Sequence, residues 1–173
     1  MLSIRRVWIP LAATALALTA MSVQAEETQF SAKLTGASQL PEPTTSKATG
    51  ELKLLVSADG KKISYTLTVE NLRNPSASDL HLGPDTANGP AVVKLFPARG
   101  ATARKGDVSG VLAEGTITAD DLIGPLLGSA LADLIEQVRE GNTYVNIHTN
   151  DGTPPANSGP GDYNLGEIRG QIK

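Results

Sequence analysis

Alternation of apolar and other residues with a period of two runs through most of this chain and restricts its fold more than any other feature. Phe30, Ala32 and Leu34 alternate with Ser31, Lys33 and Thr35, and Leu52, Leu54 and Val56 with Glu51, Lys53 and Leu55. Ile63, Tyr65, Leu67 and Val69 alternate with Ser64, Thr66, Thr68 and Glu70. Successive side chains of an extended backbone point to opposite faces, so this period describes strands buried on one face, as in antiparallel sheets. Ala58-Asp59-Gly60 reads as the hairpin turn between the second and third runs. Further strands are expected at Leu80–Leu82, Ala91–Phe96, Asp107–Ile117, Thr143–Thr149 and Leu165–Ile172.

Helical signals interrupt the strands in one region only. Thr118 ahead of Ala119-Asp120-Asp121-Leu122 reads as an N-cap with acids in the first turn. Ser129 opens a better helix, with Leu131, Leu134, Ile135 and Val138 at helical spacing and Gly141 as its stop. Leu40–Lys47 and Asn150–Asn164 read as loops, the second too long for an ordinary hairpin connection. About eight short strands with a helical excursion predict an all-β fold. The expected architecture is an antiparallel β-sandwich or barrel with one or two short helices inserted.

The first 25 residues read as a secretory signal peptide. Arg5 and Arg6 supply the positive start, Leu11 to Met21 an apolar run too short to span a bilayer, and Val23-Gln24-Ala25 a cleavage site. A retained membrane anchor is the alternative. Arg5-Arg6-Val7-Trp8-Ile9 is also a loose twin-arginine pattern, so general and folded-state export both stay open. Residues 26–173 then form the expected single domain, periplasmic or secreted, with no membrane contact after cleavage. Cleavage removes two of the 15 cationic residues and none of the 18 acidic ones, leaving a net charge of 13 minus 18, or −5. A mildly acidic surface without a basic cluster argues against nucleic acid as a partner. The chain has no cysteine, which removes disulfide scaffolds, thiolate nucleophiles, iron–sulfur ligands and cysteine-ligated copper.

The two histidines therefore carry most of the remaining chemistry. Leu80 and Leu82 pointing to the core would place Asp79 and His81 together on the opposite face. Val145 and Ile147 would do the same for Asn146 and His148, beside Tyr144. In the last strand, Ile168 and Ile172 would face inward with Gly166 and Gly170, and Glu167, Arg169 and Gln171 outward. If these strands are neighbours, Asp79, His81, Asn146, His148, Glu167 and Arg169 converge on one polar patch. Two imidazoles and a carboxylate suit copper, zinc, nickel or non-haem iron, with positions left open. In that reading His81, His148 and Asp79 are the ligands, and Asn146, Glu167 and Arg169 the groups around them, with Asn146 and Glu167 orienting the imidazoles. The plainer readings are imidazoles bonded to nearby backbone, and Glu167 with Arg169 as a cross-strand ion pair. Gly83-Pro84 and Asn88-Gly89-Pro90 read as turn chemistry. No nucleophile elbow lies near a histidine, and the glycines between Gly152 and Gly161 lack the Lys-Ser/Thr ending of a phosphate loop.

In sequence order, Phe30-Ser31-Ala32-Lys33-Leu34-Thr35-Gly36, Ala48-Thr49-Gly50, Asn71-Leu72, Leu80-His81-Leu82-Gly83-Pro84 and Asn88-Gly89-Pro90 are followed by Tyr144-Val145-Asn146-Ile147-His148-Thr149 and Gly166-Glu167-Ile168-Arg169-Gly170-Gln171. Together these motifs resemble the CHRD domain, a module named for its repeats in chordin and found singly in bacterial exported proteins. The resemblance covers Phe30 to Lys173 and implies an immunoglobulin-like β-sandwich or barrel, without implying a catalytic activity. Two features depart from it. Asp79 stands where the first histidine of an H-x-H usually is, exchanging a soft ligand for a hard oxygen. Asn150–Asn164 is longer than the usual link.

Three functions fit these residues. The first is an exported binding module without catalysis, its site at Asp79, His81 and His148 with copper or zinc as the candidate ion, or an extracytoplasmic protein as partner. The second is a structural or protein-interaction module without a metal. The third is a mononuclear metalloenzyme using Glu167 as base, for which nothing in the sequence calls.

Overall fold

A computed structural model describes residues 27–98 and 102–173; the predicted signal peptide lies outside them. The strands are β1 (Thr28–Thr35), β2 (Thr49–Val56), β3 (Ile63–Arg73), β4 (Pro75–Leu82), β5 (Ala91–Phe96), β6 (Asp107–Ile117), β7 (Thr143–Thr149) and β8 (Ile168–Gln171). They form one sheet in the order β5-β4-β7-β8-β1-β2-β3-β6, with every pair antiparallel. The sheet curls into a near-barrel. Its two edge strands, β5 and β6, meet through other groups rather than a shared ladder. Tyr65 of β3 donates its hydroxyl to the Leu95 carbonyl of β5 at 3.0 Å. The Ile123 amide, beyond β6, donates to the Val92 carbonyl at 2.8 Å.

The alternating apolar residues fill the inside of this curl. Leu34, Leu52, Leu67, Leu72, Leu80, Val145, Ile147 and Ile168 are fully buried in one continuous core. Helix α1 (Leu131–Arg139) adds Leu131, Leu134, Ile135 and Val138 to it, the four residues whose spacing predicted the helix. Its Ala130 amide is held by the Asp133 carboxylate at 3.1 Å, so the cap lies one residue after Ser129. Gly141, in left-handed conformation at φ 71°, follows its end. The signal at Thr118 yields only a 3-10 turn over Ala119–Asp121, closed by Thr118 against the Asp121 carboxylate at 2.9 Å.

Strands β5, β6 and β7 coincide with the expected ranges, whereas β4 starts earlier, at Pro75, and β8 is shorter. The larger difference concerns the outer face of the β4–β7–β8 region. In β7, Tyr144 and Asn146 are buried along with Val145 and Ile147. The segments before β2, between β4 and β5, and between β7 and β8 fold over that face, so alternation in polarity is not alternation in exposure.

Ile147 is fully buried between the two outward residues Asn146 and His148. Ile147→Ala should destabilise the fold by about 2–5 kcal/mol, the cost of a large-to-small change in a packed core. Denaturant titration monitored by far-UV circular dichroism checks this through a lowered midpoint at unchanged slope.

Candidate metal centre

Pairing of β4 with β7 brings the two histidine motifs together. Asp79 lies opposite Asn146, His81 opposite Tyr144, and Ala77 opposite His148. Asp79 therefore has His81 two residues along its own strand and His148 on the diagonal across the ladder. One ligand-capable atom from each of Asp79, His81 and His148 lies within 4.8 Å of the other two. His148 Nε2 stands 4.0 Å from Asp79 Oδ2, and the two imidazole centroids are 6.5 Å apart. The expected convergence thus holds for the three residues read as ligands.

Each imidazole is oriented by a backbone carbonyl. His81 Nδ1 is 2.9 Å from Gly89 O, and His148 Nδ1 is 2.8 Å from Asn164 O. A carbonyl oxygen only accepts, so each Nδ1 carries the proton and a neutral ring keeps its lone pair on Nε2. The Nε2 of His81 is buried and has no partner. A buried polar atom without a partner costs free energy that something else must offset. Ligand distances of about 2.0–2.2 Å place ligand atoms at most about 4.4 Å apart across one ion, so the trio needs only modest contraction to close on a metal. This donor set of two imidazoles and a carboxylate fits a divalent ion with open positions left for water or another ligand.

The electrostatics are those of a partly dehydrated cluster. The side chains of His148 and Asp79 keep 20% and 13% of their accessible surface. Loss of water raises the Asp79 pKa above the ordinary carboxylate value, against the opposing pull of His148, His81 and Lys94. Loss of water likewise lowers His81 below 6.5, with the Gly89 bond and Asp79 opposing it. A depressed imidazole pKa leaves the Nε2 lone pair free at neutral pH.

Asn146, Glu167 and Arg169 sit on the same side of the sheet but do not hydrogen-bond the imidazoles. The expectation that Asn146 and Glu167 orient the rings is met instead by the Gly89 and Asn164 carbonyls. Asn146 accepts from Gln39 Nε2 at 2.5 Å and turns its own amide toward Leu165 O at 3.5 Å. Glu167, 1% exposed, accepts from Ser46 Oγ at 2.6 Å, Thr149 Oγ1 at 2.5 Å and the Gly161 amide at 2.8 Å. It thereby ties the segment before β2 and the β7–β8 loop to the sheet. Arg169, 2% exposed, donates to Pro84 O at 2.9 Å and Ala87 O at 3.3 Å, and its guanidinium lies 3.9 Å over the Tyr144 ring. Glu167 and Arg169 therefore face neither solvent nor each other as an ion pair, contrary to the outward placement expected of them.

Sequence reasoning missed Gln39 and the roles of the two loop carbonyls. Tyr144 donates to Gly89 O at 3.3 Å and accepts from the Gly89 amide at 3.0 Å, holding the peptide that orients His81. Asn88-Gly89-Pro90 read as a turn, and only the fold reveals why glycine is needed. A Cβ at Gly89 would fall on the Leu82 carbonyl oxygen.

An all-β module with an Asp-His-His cluster beneath three covering loops is the class these features define. The chain belongs to the CHRD domain family, whose model matches residues 30–172. No curated protein matches it. Among the described residues, no helix is long and apolar enough to cross a membrane.

Glu167→Gln presents an amide to donors that now meet a carboxylate. It should cost about 1–3 kcal/mol, the price of a buried donor left unpaired. Thermal unfolding of the purified variant checks the loss.

Proposed function

We propose that this CHRD-domain protein is an exported binding module without catalytic activity that holds one copper or zinc ion. His81 Nε2, His148 Nε2 and an Asp79 carboxylate oxygen are its ligands. The single observation that carries the reading is the buried, unpartnered Nε2 of His81, on a ring fixed by the Gly89 carbonyl and clustered with Asp79 and His148. Proteins that use histidine as a ligand commonly secure the second ring nitrogen in this way. An imidazole serving only as a loop tie has no need of an empty second nitrogen in a buried site. The remaining coordination positions are left to water, to a small anion or to a side chain of an extracytoplasmic partner protein. Catalysis is the weaker reading because Glu167, the base it would use, is saturated by Ser46, Thr149 and Gly161. The export assignment rests on the composition of residues 1–25.

A structural module without metal is the second reading, favoured by the two imidazole–carbonyl bonds that tie loops to β4 and β7. Elemental mass spectrometry and titration calorimetry on untagged protein from the periplasm separate the two. The metal reading predicts one equivalent of copper or zinc, and at least a tenfold loss of affinity in each of His81→Ala and His148→Ala. No uptake, or uptake indifferent to both substitutions, would leave the structural module. Affinity should also fall steadily as pH drops through the imidazole range, because a protonated Nε2 has no lone pair to give. Calorimetry between pH 7.5 and 5.5 checks that sign, and affinity constant across the range would rule out histidine ligation.

A further inference from the structure

Arg169 is a buried charge with no carboxylate in contact among the described residues, and Asp85 acts on it only from beyond salt-bridge range. It is 2% exposed, its Nε is buried without a partner, and its Nη2 meets only the Pro84 and Ala87 carbonyls and the Gln171 side-chain oxygen. Among the described residues, no carboxylate lies within 4.0 Å of it. Burying an ion in this way is costly, and a neutral donor would hold the same carbonyls at less cost. The position of the charge suggests what it does. The guanidinium carbon is 3.9 Å from the Tyr144 ring centroid. That ring lies 4.9 Å from the His81 ring at an interplanar angle of 13°. Guanidinium, phenol and imidazole thus form one continuous stack ending on a candidate metal ligand. No water layer separates the charge from the ring, and a guanidinium stays protonated at any physiological pH.

A fixed positive charge repels a bound cation in proportion to that cation's own charge. We propose that Arg169 sets the charge selectivity of the Asp79–His81–His148 site, weakening divalent binding more than monovalent binding and so favouring Cu(I) over Cu(II). The inference rests on the metal reading of that cluster. Two stacking distances place the guanidinium on the order of 10 Å from an ion on His81. At an effective dielectric constant of about 20, a unit charge at that range changes affinity by roughly tenfold per unit of ionic charge. Bound copper is then poised toward its reduced state, and Asp79, a hard ligand, supplies the opposing pull toward the oxidised one.

The test compares wild type with Arg169→Gln, which keeps a donor for the loop carbonyls and loses the charge, and Arg169→Lys, which keeps the charge. Gln171→Glu, which sets a carboxylate against Nη2 and leaves Arg169 in place at the cost of the amide donated to the Gly83 and Gly141 carbonyls, is a second route to neutralisation if Arg169→Gln does not fold. Chelator competition gives the affinities for Cu(I) and for Cu(II), with Ag(I) and Zn(II) as ions without redox chemistry. Mediated electrochemical titration gives the midpoint potential of bound copper. Neutralisation by either route should shift the ratio of affinities toward the divalent ion by roughly tenfold and lower the potential, and Arg169→Lys should keep the wild-type ratio. A purely structural role would weaken both ions alike and leave ratio and potential unmoved, which would overturn the proposal. Wild-type protein that binds none of these ions would instead overturn the metal reading, and this inference with it.

Discussion

The ladder between β4 and β7 is the constraint on which the rest of the molecule depends. It sets Asp79 against Asn146 and His81 against Tyr144, which leaves His148 diagonal to Asp79. A slip of one residue would turn every one of these side chains to the other face and bring Leu80, Val145 and Ile147 out of the core. The burial of those three residues therefore fixes the register and, with it, the cluster. Core packing and site geometry are here two results of the same pairing.

Strand pairing places the rings, and loops decide what the rings can do. Gly89 and Asn164 lie in different connections, yet each presents a carbonyl to an Nδ1 and so leaves the lone pair on Nε2, in two rings that cluster with Asp79. Those connections are held in turn by buried polar groups. Arg169 and Gln171 grip the β4–β5 connection through Pro84, Ala87 and Gly83, and Glu167 secures the β7–β8 loop through Gly161. Such long-range polar anchoring is expensive to bury and demands that each group find its partner. The outer face of this part of the sheet therefore behaves as a second interior, built from hydrogen bonds where the first is built from apolar packing.

Period-two alternation reveals which residues share a face, and that was enough to read β5, β6 and β7 to the residue and to group Asp79 with His81 and Asn146 with His148. Helical spacing likewise marked the four buried residues of α1. The same signal says nothing of what covers a polar face. Glu167 and Arg169 read as outward residues because charge in an alternating strand normally means solvent. Their partners lie in remote segments, at Ser46 and Pro84, and no local pattern announces them. Gln39 was invisible for the same reason, sitting in an unpatterned segment yet buried against Asn146. The Thr118 cap signal was chemically correct but local. Its carboxylate closes a single turn, and the chain then follows Leu122 into the core.

The central claim is that two loop carbonyls keep the protons on Nδ1 and present both Nε2 atoms, with Asp79, to a metal ion. Nitrogen-15 NMR of imidazole-labelled protein, followed during addition of zinc, tests it most directly. The account predicts large shifts of Nε2 in both histidines at one equivalent, with both Nδ1 atoms still protonated. Shifts at Nδ1, or rings that ignore the ion, would contradict it.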